Sequence, residues 1–427
     1  MTKLYTALLA LLSCSAVFAQ QYTDGILVLN EGGAGSNGAS VSFLKNNTVT
    51  NNVYGTANPD ANELGNVGQS LSIYGDYAYV VLNMSNKVEV VNKYTFVHIA
   101  TISTGLVNPR YMAFSNGKGF ITNWGDGTDA TDDYVAVVNL TDNTIESNIT
   151  VAEGVERIQE INGKLYAAHQ GGFGYGNSIT IIDPATATVD GTITVGDVPN
   201  AMIVKEGFLY VLCSGKPSWS DGETFGELDK IDLATNTVVS TIPFTEQHPA
   251  NLRAGNGNDV YYTIDADIYK TDITSATLPT ASIASLTPQG AYGVYGMDFI
   301  DNVLYVADAG DYVSAGHVYL YNADGGSLAD YTVGVIPNGF YKSAQEILAT
   351  PDVAALKISV APNPATDVFY VNTNTATSVR MYNIEGRLVK DEPYTANGIA
   401  VRGMSAGIYI VEITTGQTKS VQRLIVK

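Results

Sequence analysis

A chain of 427 residues with 45% apolar residues, 42 glycines and only 15% charged residues can bury a large core, and its 27 tyrosines favour strands. The formal charge of −20 is spread along the chain with no basic stripe, which argues against a nucleic-acid partner because phosphate contacts need clustered Lys and Arg. Spread acidity of this kind fits solubility in an extracellular setting better than an acidic ligand site.

Met1-Thr2-Lys3, an apolar stretch through Leu12 and Val17-Phe18-Ala19 before Gln20 read as a secretory signal peptide, residues 1–19, cleaved after Ala19. Cys14 follows Leu11-Leu12-Ser13, a poor fit to a lipoprotein cleavage site, and is expected to leave with the signal. Cys213 is then the one mature cysteine, so no intrachain disulfide forms, and in a strand it reads as a small buried hydrophobe. No later stretch is long and apolar enough to cross a bilayer as a helix.

Seven times from residue 25 onward a hairpin-forming turn leads into a short run with an aromatic or large apolar residue at its centre: residues 25–30, 77–82, 118–122, 164–168, 208–212, 259–263 and 303–307. The equivalent aromatic recurs as Tyr79, Phe120, Tyr166, Tyr210, Tyr261 and Tyr305, a period of the size that several strands per unit require in a β-propeller. One whole unit is legible between Pro109 and Val151: an inner strand around Tyr111-Met112-Ala113-Phe114, a turn at Ser115-Asn116-Gly117, a second strand from Gly119, a third from Asp133 and an outer one from Thr144.

The first run has no inner strand before it, whereas Pro337-Asn338-Gly339-Phe340-Tyr341-Lys342 has the inner-strand pattern and then stops. The spacing therefore predicts that this C-terminal strand joins three N-terminal ones, Ile26 to Asn30, Ala39 to Leu44 and Thr48 to Tyr54, to complete a seventh blade and staple the ring shut. The fold class is all-β: a seven-bladed β-propeller over residues 24–342, closed by N- and C-terminal strands in one blade, then a linker at 343–352 and a small β-sandwich at 353–427.

In such a blade the loop joining strands two and three lies on the same rim as the connection to the next inner strand. The long, irregular loops are expected there and short turns on the opposite rim, so function is expected on the long-loop rim. The candidate ligand-binding residues are Asn66, Gln69, Arg110, Arg157, Asn200, Asn251 and Asn338, with Trp124, Phe173, Tyr175, Trp219, Tyr292, Tyr295 and Tyr312 offering flat apolar contact, and His169 and Asp308 beside them. Amides, guanidinium groups and aromatic faces together suit a neutral or mildly anionic ligand. The competing reading is that polar groups at the start of each blade satisfy backbone groups around a water-filled channel.

His169, His248 and His317 also fall on this rim with Asp265, Asp267, Asp308 and Asp311, but no HxH or HxxxH spacing occurs, so a catalytic metal is not expected. No Gly-x-Ser-x-Gly element, phosphate loop or paired CxxC is present, and the glycines of residues 171–176 join two strands and open no helix.

The last residues carry Ala361-Pro362-Asn363-Pro364-Ala365-Thr366, then Val379-Arg380-Met381-Tyr382-Asn383-Ile384-Glu385-Gly386-Arg387-Leu388-Val389, then Gly407-Ile408-Tyr409-Ile410-Val411-Glu412 and a terminal Lys427. These three motifs in order resemble the type A sorting domain of the type IX secretion system. The resemblance implies recognition by that machinery, export across the outer membrane, and a secreted or cell-surface location.

Residues 24–342 resemble the YncE-like surface propellers, and within them the cobalamin-capturing outer-surface proteins of gut Bacteroidota. The resemblance rests on Leu64-Gly65-Asn66-Val67-Gly68-Gln69-Ser70-Leu71, Asn108-Pro109-Arg110-Tyr111-Met112, residues 304–312 and residues 333–340. It implies a non-enzymatic protein with no cofactor of its own, whose Tyr and Trp faces cover a corrinoid while Asn, Gln and Arg meet its amides and phosphate. The cobalamin-binding members are lipid-anchored over a TonB-dependent transporter, whereas this chain carries a sorting domain. Two alternatives stand beside this reading: an adhesion propeller with a broad flat face, and a metal-dependent hydrolase, which requires the histidines and aspartates to converge.

Overall fold

The computed structural model describes residues 21–36, 38–60, 63–172, 174–345, 359–373, 378–384, 386–415 and 418–427. The signal-peptide stretch, most of the linker and Phe173 lie outside the described residues. The chain divides into two compact units, Met1–Glu346 and Ile347–Lys427.

Among the described residues the first unit forms seven four-stranded antiparallel sheets. Sheets I to VI span residues 68–102, 109–150, 155–194, 199–243, 250–285 and 296–335, each running from inner to outer strand in chain order. Sheet VII combines the inner strand Pro337–Lys342 with Ile26–Asn30, Ser40–Lys45 and Thr48–Thr50. The seven inner strands touch one another in cyclic order, with VI meeting VII and VII meeting I, so the unit is a closed propeller.

The aromatic-centred runs are the second strands, and they are buried on both faces because each sheet is packed between two others. In Tyr77–Leu82, Ala78, Val80 and Leu82 pack toward sheet VII with Leu27, Leu29 and Phe43, whereas Tyr79 and Val81 pack toward sheet II with Met112 and Ile121. Such strands read as continuous apolar runs with no in–out alternation. One apolar cluster fills each gap between neighbouring sheets, including the gap between VI and VII, where Ile26, Val28 and Phe340 meet Ala307 and Val318. The outer strands face solvent; Thr237–Pro243 is exposed along most of its length.

Sheet VII holds the closure. Ile26–Asn30 pairs antiparallel with Pro337–Lys342, with Ile26 opposite Lys342 and Val28 opposite Phe340. The backbone amide of Gly25 then donates to Ser343 Oγ at 2.9 Å across 318 residues of chain. Glycine is needed where sheet VI meets this strand, because a Cβ on Gly316 would collide with the Pro337 ring.

Two expectations are corrected. The third N-terminal strand ends at Thr50, and Val53–Ala57 is a short helix instead of the end of a strand reaching Tyr54. Asn52 is left-handed (φ 53°) and its side chain accepts from the Gly55 amide at 3.3 Å, which starts the helix, while Val53 and Tyr54 are buried with Tyr22, Phe43 and Phe96. Asn58 closes it by donating to the Tyr54 and Phe96 carbonyls at 2.8 and 2.9 Å. The long connections also do not all share one rim: residues 273–283 join strands three and four of sheet V on the opposite rim. Ile273, Leu278 and Ile283 there cover the sheet edges with apolar contact.

The second unit has a three-stranded sheet (Val360–Ala361, Val368–Val371, Ile399–Ala400) and a four-stranded one (Ser378–Tyr382, Leu388–Pro393, Gly407–Thr415, Thr418–Val426). Phe369, Met381, Val411, Ile413 and Leu424 form part of one shared core. The Pro-Asn-Pro motif clasps the last strand, with Asn363 Nδ2 donating to the Arg423 carbonyl at 2.6 Å and its Oδ1 accepting from the Ile425 amide at 2.9 Å.

Phe340 is 3% exposed within the closing strand. Phe340→Ala is expected to lower unfolding stability by about 3–5 kcal/mol, read from the urea midpoint of the full chain.

Candidate functional site

The inner strands of all sheets but VI carry a register shift near the end at which the chain enters them from the long-loop rim. A bulge leaves a residue out of the ladder and re-aims its side chain. Residues at these shifts, Gln69, Tyr111, Arg157, Leu252 and Asn338, line a cavity of about 250 Å³ among the inner strands. Arg253, Asp298 and Tyr341 complete much of its polar wall.

The polar candidates divide by what already occupies them. Asn200 donates to the Pro249 carbonyl at 2.9 Å, Asn251 to the Val294 carbonyl at 3.2 Å and Asn338 to the Gly68 carbonyl at 2.8 Å. In each case the acceptor belongs to the next blade or the segment leading into it, so these amides staple neighbouring blades together. Asn66 Oδ1 accepts from Gly35 N at 3.0 Å and Asp308 from Gly310 N at 2.9 Å, each tying down a rim loop. His169 is 1% exposed, with Nδ1 3.2 Å from the Glu153 carbonyl and Nε2 2.8 Å from Thr180 Oγ1, and burial lowers its pKa, so it stands as a neutral internal imidazole.

Arg110 and Glu156 form a fork-to-carboxylate pair at 2.8 and 3.0 Å, and the guanidinium lies 3.8 Å from the centre of the Trp124 ring. Nearby, Glu31 accepts from Tyr295 Oη at 2.9 Å and from Asn338 Nδ2 at 3.0 Å. Burial raises the Glu31 carboxyl pKa, and burial beside Glu31 raises that of the Tyr295 phenol, whose ring meets Tyr312 edge-on at 5.8 Å. Glu31, Glu156, Arg253 and Asp298 are not among the residues singled out from the sequence. Glu156, Arg253 and Asp298 sit on inner strands beside or level with residues that were, and that register is the signal by which they could be found.

Four of the aromatic candidates stand well out into solvent, whereas Trp124 is half-buried under Arg110. Trp219 is 84%, Tyr292 85%, Tyr312 48% and Tyr175 45% exposed, all on loops of the long-loop rim. Among the described residues no three His, Cys, Asp or Glu side chains converge as metal ligands. His248 instead lies 2.9 Å from the Ser214 carbonyl and 3.3 Å from Glu223, and His317 stacks on Tyr319. Cys213 is buried and its thiol pKa is pushed up by that burial, which suits packing and not nucleophilic attack.

A family model described as a domain of unknown function (DUF5074) matches residues 24–348. The chain belongs to that family. Residues 359–427 of this DUF5074 protein match the secretion system C-terminal sorting domain, the tail that directs type IX export, so the protein is secreted or displayed at the cell surface. No curated protein matches the chain. The fold is similar to that of a functionally unknown protein from Desulfotomaculum acetoxidans DSM 771, at 12% identity over 76% of this chain and 100% of that one, with a TM-score of 0.52. The dihydro-heme d1 dehydrogenase NirN in complex with DHE is similar at 14% identity over 76% of each chain, with a TM-score of 0.48. At these identities the likeness concerns the fold alone.

The long-loop side of blade IV of the DUF5074 unit carries a titrating carboxyl. Burial, then the neighbouring Asp229 and Asp197, push Glu227 up from 4.5 to about 7. The folded state therefore keeps a proton that the unfolded chain releases above 4.5, and stability falls as pH rises from there to about 7. Asp133, pushed up by burial from 3.8 to about 6, acts in the same direction. Glu227→Gln is expected to flatten the upper part of this fall and to raise stability at neutral pH by about 1 kcal/mol, read from urea midpoints at a series of pH values.

Proposed function

We propose that this exported propeller is a non-enzymatic binding protein whose long-loop rim captures a small, flat ligand rich in hydrogen-bonding groups. The observation that carries the reading is the set of solvent-facing aromatic side chains on that rim, Trp219 and Tyr292 foremost, which pack on little of their own chain. Large exposed aromatics presented by loops on a rigid scaffold supply apolar contact at low entropic cost, with a polar tip for orientation. On the same rim, the Glu31–Tyr295 pair offers a fixed acceptor and hydroxyl, and Trp124 is held in place against Arg110.

A corrinoid is the ligand class to which the resemblance with YncE-like, cobalamin-capturing propellers of Bacteroidota points. Its macrocycle would lie against aromatic faces, and its amides and phosphate would meet the polar groups. Delivery to a TonB-dependent transporter belongs to the same proposal. The sorting tail supports the location this role requires, since a capture protein works outside the cell.

Titrating the full chain with cyanocobalamin is expected to give a dissociation constant of about 1 μM or tighter. Trp219→Ala and Tyr292→Ala, at exposed positions, are each expected to weaken binding roughly tenfold with the melting temperature unchanged. No association at micromolar ligand would overturn the corrinoid reading in favour of an adhesion surface.

A further inference from the structure

The cavity among the inner strands carries a charge pattern that neither the closure nor the aromatic rim accounts for. Arg157 and Arg253, from blades III and V, both line it, with Asp298 as the carboxylate in its wall. Arg253 Nε lies 3.5 Å from Asp298 Oδ2. Arg157 has no carboxylate partner among the described residues; its Nε donates to the Asn200 carbonyl at 2.6 Å and its guanidinium lies 4.7 Å from the centre of the Tyr111 ring. Among the described residues Arg253 makes one hydrogen bond, from Nη1 to the Leu252 carbonyl at 2.8 Å.

A guanidinium has five N–H donors, so most donors of this pair have no protein acceptor among the described residues. Burial and the nearby positive charge of Arg157 both lower the Arg253 pKa, although Asp298 opposes them. Tyr341 Oη accepts from Leu71 N at 3.1 Å, which leaves its own proton for a further acceptor. In a chain of net charge −20, two guanidinium groups facing one cavity make a local concentration of positive charge. A cavity of about 250 Å³ has room for a small oxyanion with part of its hydration.

We propose that this cavity is a binding site for a small oxyanion with at least two anionic oxygens, of the phosphate or dicarboxylate kind, clamped between Arg157 and Arg253 with the Tyr341 hydroxyl as a further donor. The planar fork of each guanidinium matches paired anionic oxygens, and an anion between them offsets the repulsion of like charges. Because its contacts come from blades III, V and VII, an occupant would also brace the ring, and its binding would appear as added stability. None of the exposed rim aromatics Trp219, Tyr292, Tyr312 and Tyr175 lines this cavity, so anion binding here is tested apart from corrinoid capture.

The test is calorimetric titration of the full chain with inorganic phosphate and, separately, with malonate, at ionic strength matched with sodium chloride. Saturable binding of one anion per chain is expected, with a dissociation constant of about 1 mM or tighter. Binding of phosphate alone would assign a phosphoryl group and binding of malonate alone a carboxylate, either of which supports the site. Arg157→Gln and Arg253→Gln are each expected to weaken binding at least roughly tenfold, and Trp219→Ala to leave it unchanged. Arg157→Lys keeps the charge but loses the fork, and serves where the glutamine variant does not fold. No saturable binding of either anion by the unmodified chain up to about 10 mM, or undiminished binding by the folded arginine variants, would overturn the proposal.

Discussion

Two strands from opposite ends of the propeller, Ile26–Asn30 and Pro337–Lys342, share the hydrogen bonds that every other contact in the ring presupposes. Joining backbone groups 318 residues apart costs about 5 kcal/mol in loop entropy, on top of ordering the strands themselves. What offsets that cost lies on both flanks of sheet VII: Leu27, Leu29 and Phe43 pack toward sheet I, and Ile26, Val28 and Phe340 toward sheet VI. The closing strand thus completes a sheet and two apolar interfaces together. Its loss would expose the inner edge of sheet VII and weaken the interfaces on both sides.

The closed ring also decides what the polar groups near the axis are for. Seven inner strands meeting around one centre bring backbone carbonyls and amides into a space too narrow for sheet pairing, and buried groups of that kind need partners. Asn200, Asn251 and Asn338 meet this demand from one blade to the next. Arg110 is neutralised by Glu156 and held against Trp124. Once these are assigned to holding the ring, the arginines of the cavity and the aromatics of the rim remain as groups whose placement folding alone does not require.

Much of the architecture was legible because the repeat carries its own chemistry. A turn followed by a continuous apolar run recurs where a strand is buried on both faces, and the unmatched Pro337–Lys342 segment is what a ring closed by its two ends leaves over. The sorting tail was legible from short motifs that stand out in the chain, such as the Pro-Asn-Pro run whose Asn363 clasps the last strand. The helix at Val53–Ala57 was not, since Thr48 to Tyr54 has strand-like composition and only the left-handed turn at Asn52, with the pocket around Phe96, redirects it. The excursion at 273–283 was hidden for a similar reason: its apolar residues cover the edges of their own sheet and of its neighbours IV and VI, a tertiary contact that the local pattern does not display. Side-chain type and position along each blade reach the inner-strand positions of the site. They do not separate Arg110, paired with Glu156, from Arg157, which has no carboxylate partner among the described residues. The bulges that aim these side chains depend on cross-strand register, which a single strand does not display.

Native-state hydrogen exchange of the full chain, resolved residue by residue across sheet VII, tests the ring most directly. A ring held by its closing pair predicts that the amides of Val28 and Phe340, opposite one another there, exchange only through global unfolding and with the same opening free energy as the second strands of sheets I and VI. Exchange of the Pro337–Lys342 amides through a separate, low-energy opening, with the remaining sheets still protected, would contradict it, because the ring would then persist without the strand said to hold it closed.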